Sequence, residues 1–195
     1  MNETNPREKL AFVEVVTEFF RFLETEYGYR QTHRDPTCVE YKSGNLEIHV
    51  MHDLHSYEVE LSITGGHAWQ NQRFSLPEIL GGLAPDYPDK GFYQTTNKDL
   101  LRESVADIAG LIRKYADALL RGSADAVHLV EMAVREEAER MFERHTIEPM
   151  KAEADAAWKR KDYAEVIALY TSIESYLNSL EKRRLDYAKS HREGN

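Results

Sequence analysis

Four side chains able to do chemistry crowd into one short stretch of the sequence: His49, His52, Asp53 and His55. Imidazole and carboxylate together suit Zn, Ni, Fe or Mn. Along an extended strand successive residues face opposite ways, so His49 and His52 cannot converge unless the strand ends or bulges between them. The turn residues His52, Asp53 and His55 are therefore the set that could gather round an ion and activate a water for hydrolysis. Polar residues at a strand end need no metal, and we expect none, nor any other cofactor. Cys38 is the only cysteine, and it would act as a nucleophile only with a histidine beside it in space. No motif supplies one, so a small buried or edge-strand residue is the expectation. The chain has no glycine-rich phosphate loop followed by Lys-Ser/Thr, no Gly-x-Ser-x-Gly and no His-Glu-x-x-His, which leaves the enzyme classes with readable motifs unsupported.

Composition narrows the partners. The chain has 195 residues and a formal net charge of −9. Residues 1–98 carry 15 acidic and 9 basic side chains and residues 99–195 carry 19 and 16, so the first half is the more acidic. Nonspecific nucleic-acid binding needs clustered Lys and Arg, and the charge argues against it and for a basic protein partner. The short basic runs Lys159-Arg160-Lys161 and Lys182-Arg183-Arg184 read as solvated helix faces. A single cysteine allows no intramolecular disulfide, which fits a reducing compartment. The first residues show no apolar signal core, and no apolar run reaches the ~18 residues needed to cross a bilayer. A soluble, cytoplasmic, non-membrane protein is expected.

The elements that must position these groups follow from periodicity. Leu46, Ile48 and Val50, then Tyr57, Val59, Leu61 and Ile63, alternate with polar residues, the mark of half-buried strands. With Val39/Tyr41 before Ser43-Gly44, and Asp53 to Ser56 between the later runs, they predict a three-stranded antiparallel meander. So small a sheet needs a helical cover. Asn5-Pro6-Arg7-Glu8 opens a predicted helix over 6–27 that ends at Gly28. Ser75-Leu76-Pro77-Glu78 opens a short helix expected to stop at Gly81-Gly82. Residues 84–97 form a long loop containing Tyr87, Phe92 and Tyr93. Thr96 and Asp99 cap a helix striped with Leu101, Val105, Ile108, Ile112, Tyr115 and Leu119 that runs to Gly122. A further helix from Ser123 ends near His145 to Pro149. The fold class is α+β: a domain over 1–122, then an all-α extension over 123–195.

Three resemblances bear on function. Asp35-Pro36 ahead of Glu40-Tyr41-Lys42 resembles the acidic-x-lysine arrangement of metal-dependent nucleases, in which carboxylates hold Mg²⁺ and the lysine helps activate water. Here Asp35 stands too close to Glu40 for the preceding hairpin those enzymes use. From Met150, Ala154, Ala157 and Trp158, the turn Lys161-Asp162-Tyr163, then Ile167, Tyr170 and Ile173, with Leu185 and Ala188 after them, are similar to a single tetratricopeptide-like helical hairpin. One repeat builds no solenoid groove, so the hairpin is expected to pack on the domain or on a second copy. The whole layout, with Glu-Tyr-Gly-Tyr, Ser-Leu-Pro-Glu-Ile-Leu, Leu-Leu-Arg-Gly and a Trp-x4-Tyr hairpin, resembles a group of small uncharacterised bacterial proteins and, in layout, immunity proteins of toxin systems.

These readings converge on a non-enzymatic protein-binding module, of immunity or defence type, for a basic partner. Its surface would be Glu40, Glu47, Glu58 and Glu60, bordered by Trp69, Tyr87, Phe92 and Tyr93. Aromatic anchors would supply affinity and carboxylates would steer the partner. The alternatives are a metal-dependent hydrolase built on His52, Asp53 and His55, and a structural subunit that forms a homodimer through the C-terminal helices.

Overall fold

The structure is a computed structural model, and it describes residues 10–65, 72–88 and 93–192. The chain divides into two compact units, Met1–Val134 and Arg135–Asn195. The first is α+β. Its sheet has five antiparallel strands in the order of the chain: β1 (Arg30–Asp35), β2 (Cys38–Ser43), β3 (Leu46–His52), β4 (Val59–Gly65) and β5 (Arg73–Ser75). The three-stranded expectation is thus corrected to five, by one strand added at each edge. β1 is polar along its whole length and mostly exposed, so it shows no apolar alternation. Its register also slips between Gln31 and His33, a bulge typical of sheet edges. β5 is three residues with only Phe74 buried, too short to carry a period.

The β2–β3 hairpin closes with a two-residue turn. Ser43 pairs with Leu46 across Gly44, whose φ of 56° is the left-handed conformation glycine adopts without a steric penalty. Every residue pair in the hairpin follows from that turn: Lys42 faces Glu47, Glu40 faces His49, and Cys38 faces Met51. The third predicted run begins later than its pattern suggests, because Tyr57 takes φ 59° and ends the turn instead of starting β4. Val39, Tyr41, Ile48, Val50, Leu61, Ile63 and Phe74 form the buried face.

Among the described residues of the first unit, helices pack on that face. α1 (Phe12–Phe19) packs on β2, and α3 (Leu76–Leu83) and α4 (Lys98–Tyr115) pack on β4. The helix predicted over 6–27 is broken: α1 stops at Phe20, which is fully buried at φ −92°, and α2 (Arg21–Tyr27) resumes and meets β1. The N-terminal cap expected at Asn5 lies outside the described residues. α3 keeps its capping box, Ser75 N and Oγ both donating to Glu78 Oε2 at 2.7 Å, yet it runs through Gly81 and Gly82. A Cβ on Gly82 would lie 2.6 Å from Val130 Cα. Gly82 therefore marks a close helix crossing, not a helix end. α4 is capped by Asn97, whose side chain accepts from Asp99 and Leu100 N–H. After Ala116 comes α5 (Asp117–Leu120), then Gly122.

α6 (Ala124–Phe142) contributes Ala126, Val127 and Val130 to the first core, so that unit extends past Gly122 to Val134. The helical path does not stop at Pro149 either. A π turn over Glu143–Ile147 leads into α7 (Glu148–Arg160), a wide turn that accommodates a proline with no N–H to donate. The second unit comprises α7, α8 (Tyr163–Ser172) and α9 (Ser179–Arg192) around Ile147, Ala154, Ala157, Val166, Tyr170, Leu185 and Ala188. Asp162 caps α8, and Lys161 sits at φ 61° where a glycine is usual. Among the described residues no helix is long and apolar enough to cross a membrane.

Candidate functional site

The sheet face turned away from the helices is polar, because the alternation that buries Tyr41, Ile48 and Leu61 sends their neighbours outward. Across its strands lie His33 and Asp35 of β1, Cys38, Glu40 and Lys42 of β2, Glu47, His49 and Met51 of β3, and Glu60 and Ser62 of β4. Apart from Ser62, which is buried, these side chains are open to solvent to different degrees. Lys42 is 50% exposed, Glu47 40%, Glu40 35% and His49 22%. The centre of the face is thus half-sheltered by its own neighbours while its margins are solvated.

Within it, Cys38, Glu40 and His49 come together. Cys38 and Glu40 are two residues apart on one strand face, and His49 stands opposite Glu40. Cys38 Sγ is 3.9 Å from Glu40 Oε1, and His49 Nδ1 is 3.4 Å from the same oxygen. One donor atom from each residue lies within 4.8 Å of the other two. The other ring nitrogen of His49, Nε2, is 3.8 Å from Glu47 Oε2, and Glu47 is itself paired with Lys42. The lysine holds the Glu47 carboxyl below its usual range.

Asp35 positions the cysteine. Its Oδ1 accepts from Thr37 N at 2.7 Å, Thr37 Oγ1 at 2.8 Å and Cys38 N at 3.0 Å, closing the β1–β2 turn. Burial works to raise its pKa, but the bonds from His33, Thr37 and Cys38 outweigh it and bring the carboxyl to about 2. His33 Nε2 lies 3.0 Å from Asp35 Oδ2, and that bond raises the imidazole pKa. Burial, reinforced by the charges of Glu40 and Asp35, pushes the Cys38 thiol up to about 11. A histidine does lie near the sulfur, but a thiol so strongly protonated at neutral pH is a poor nucleophile.

The other residues singled out in the sequence fall as follows. Glu58 and Glu60 line one wall of a cleft of about 480 Å³, with Ser62, Arg73 and Tyr93 around it. It opens on the outer edge of β4, which is held at one end by β5 and at the other by Val59 N–H donating to the Tyr93 carbonyl at 2.8 Å. Arg73 Nε donates to Ser62 Oγ at 2.9 Å. Tyr87 goes to the helical layer, its ring 5.9 Å from that of Tyr115. Trp69 and Phe92 lie outside the described residues. His52 is fully buried, stacks 5.9 Å from Phe12 and donates from Nε2 to the Thr95 carbonyl at 2.9 Å. Asp53 Oδ1 accepts from His55 N, Ser56 N and Ser56 Oγ. Those donors, Ser56 foremost, hold its carboxyl at about 2. One of the three suggested hydrolase residues thus pins the core and another builds a turn, while His55 is exposed.

The grouping of Cys38 with Glu40 and His49 was missed by sequence reasoning that looked for neighbours along the chain. Its signal was the two-residue turn at Gly44-Asn45, which pairs residue 40 with 49 across the hairpin. No protein-family model, no curated protein and no solved structure matches the chain.

Proposed function

We propose that the chain is a non-enzymatic binding module whose bare sheet face receives a basic protein. The observation that supports this reading is that, among the described residues, helices of the first unit pack on one face of the five-stranded sheet while the other carries Glu40, Glu47 and Glu60. Glu40 faces His49 and Glu47 faces Lys42 across the hairpin, while Glu60 faces Met51 and is exposed, so part of the acidic charge of this face is open to a cationic partner. Asp35 and Glu58 add to the acidic side and Lys42 and Arg73 offset part of it. Tyr93, at the cleft beside Glu58 and Glu60, is the aromatic anchor, and the carboxylates steer a cationic surface into register. An immunity-type or defence-associated role in the cytoplasm is the biological setting we infer, with the tetratricopeptide-like tail as an accessory helical unit.

Charge reversal tests the reading. With a partner captured by chemical cross-linking, the double variant Glu58→Lys/Glu60→Lys is expected to associate about tenfold more slowly at low salt and to lose most of its salt dependence. Association kinetics equal to those of the unaltered protein would remove this surface from consideration.

A further inference from the structure

We infer that Cys38, Glu40 and His49 form a three-ligand site for a divalent transition metal of the zinc class. The donor set is a thiol, a carboxylate and an imidazole, the three types from which Zn²⁺ sites are built, whereas Mg²⁺ and Ca²⁺ take oxygen donors. A tetrahedral ion at about 2.0 Å from N and O and about 2.3 Å from S holds its donors about 3.3–3.6 Å apart. The Glu40–His49 separation of 3.4 Å matches that span, and the Cys38–Glu40 separation of 3.9 Å needs only a small inward rotation of either side chain.

The surroundings are those of a ligand set held in place. Glu47 Oε2 lies 3.8 Å from His49 Nε2, beyond hydrogen-bond length but near enough that a small side-chain shift lets it accept that ring N–H once Nδ1 binds the ion, the carboxylate–imidazole arrangement common at metal-bound histidines. Lys42 fixes Glu47 in turn. Asp35 holds the Cys38 backbone N–H at 3.0 Å. Both ligand-bearing strands belong to the hairpin whose register Gly44 sets. As the ion binds, the Cys38 thiol gives its proton to solvent and the Sγ–metal bond replaces the S–H bond. Three protein ligands leave the fourth position open toward solvent, on the same face as Glu47 and Glu60. The site stands whether or not a protein docks on that face, and its test needs no partner.

The test is titration of the tag-free full chain with Co²⁺ and then Zn²⁺. One Co²⁺ per chain is expected, with a thiolate-to-cobalt charge-transfer band in the near ultraviolet and the strong visible bands of four-coordinate cobalt, all displaced by Zn²⁺. Cys38→Ser should abolish the charge-transfer band. His49→Gln, which leaves the sulfur in place, should lower affinity by at least the 10- to 100-fold expected for Glu47→Gln, with far-ultraviolet circular dichroism confirming an unchanged fold. A six-coordinate spectrum without a sulfur band, or metal affinity in Cys38→Ser or His49→Gln equal to that of the unaltered chain, would overturn the assignment.

Discussion

Alkylation of Cys38 by iodoacetamide should be slow, by an amount the structure sets. Burial, then the Glu40 and Asp35 carboxylates, push the thiol from its ordinary 9.0 to about 11. At pH 8 only about one molecule in 1,000 then carries the thiolate, against about one in ten for an ordinary thiol, so the rate falls about a hundredfold. Because Cys38 is the only cysteine, intact mass reads this sulfur alone. The reference is the same chain in concentrated urea, with a chelator present so that no ion masks the sulfur. The rate for the folded chain should climb about tenfold per pH unit up to pH 10 while that of the unfolded chain levels off near 9. Glu40→Gln, which removes the nearer carboxylate, should raise the folded rate severalfold. A folded rate at pH 8 within about threefold of the unfolded one would refute the reasoning, since it would mean an ionised, accessible sulfur and reopen nucleophilic chemistry at this site.

The remaining predictions concern the scaffold. Gly82→Ala would place a Cβ 2.6 Å from Val130 Cα and 2.9 Å from the Leu129 carbonyl, backbone atoms that cannot swing aside, at a cost of about 1–3 kcal/mol. Gly81→Ala meets only Ala133 Cβ at 4.0 Å and should gain about 1 kcal/mol in helix propensity. Urea denaturation that ranked the two alike would contradict the α3–α6 crossing. Lys161→Gly relieves a left-handed φ of 61° and should stabilise the second unit by up to about 1 kcal/mol, read by thermal melting; a lowered melting temperature would count against it. Asp35 and Asp53 have folded pKa values of about 2, below the ordinary 3.8, so the unfolded chain binds more protons between those values. Their contribution is full above about pH 4 and is lost as pH falls toward 2. Asp53→Asn should flatten the acid side of the stability curve, and an unchanged slope would contradict the turn assignment.

How much of this the sequence disclosed depended on the physics involved. β2, β3 and β4 were legible because Val39, Tyr41, Ile48, Val50, Leu61 and Ile63 sit at every second position and all are buried. β1 was not, since an edge strand of Arg, Gln, Thr, His, Arg and Asp has no buried face to advertise. The break at Phe20 was hidden because its apolar spacing continues that of a helix while its backbone does not. Gly82 and Pro149 were read as stop signals by local rules, and helix packing and a π turn override them. The carboxylates of the open face could be named from alternation. Their grouping with Cys38 and His49 required the hairpin register, a nonlocal quantity fixed by a two-residue turn.

Photo-crosslinking in the native host tests the docking of a basic protein on the bare sheet face most directly. A photoreactive residue is placed at Glu47 or Glu60 on that face and, for comparison, at Glu103 on the exposed side of α4. The account predicts one discrete basic-protein adduct from positions 47 and 60, none from 103, and loss of the adduct when the neighbouring carboxylates are reversed to lysine. An adduct of equal yield from position 103, or no adduct from the sheet face, would contradict it.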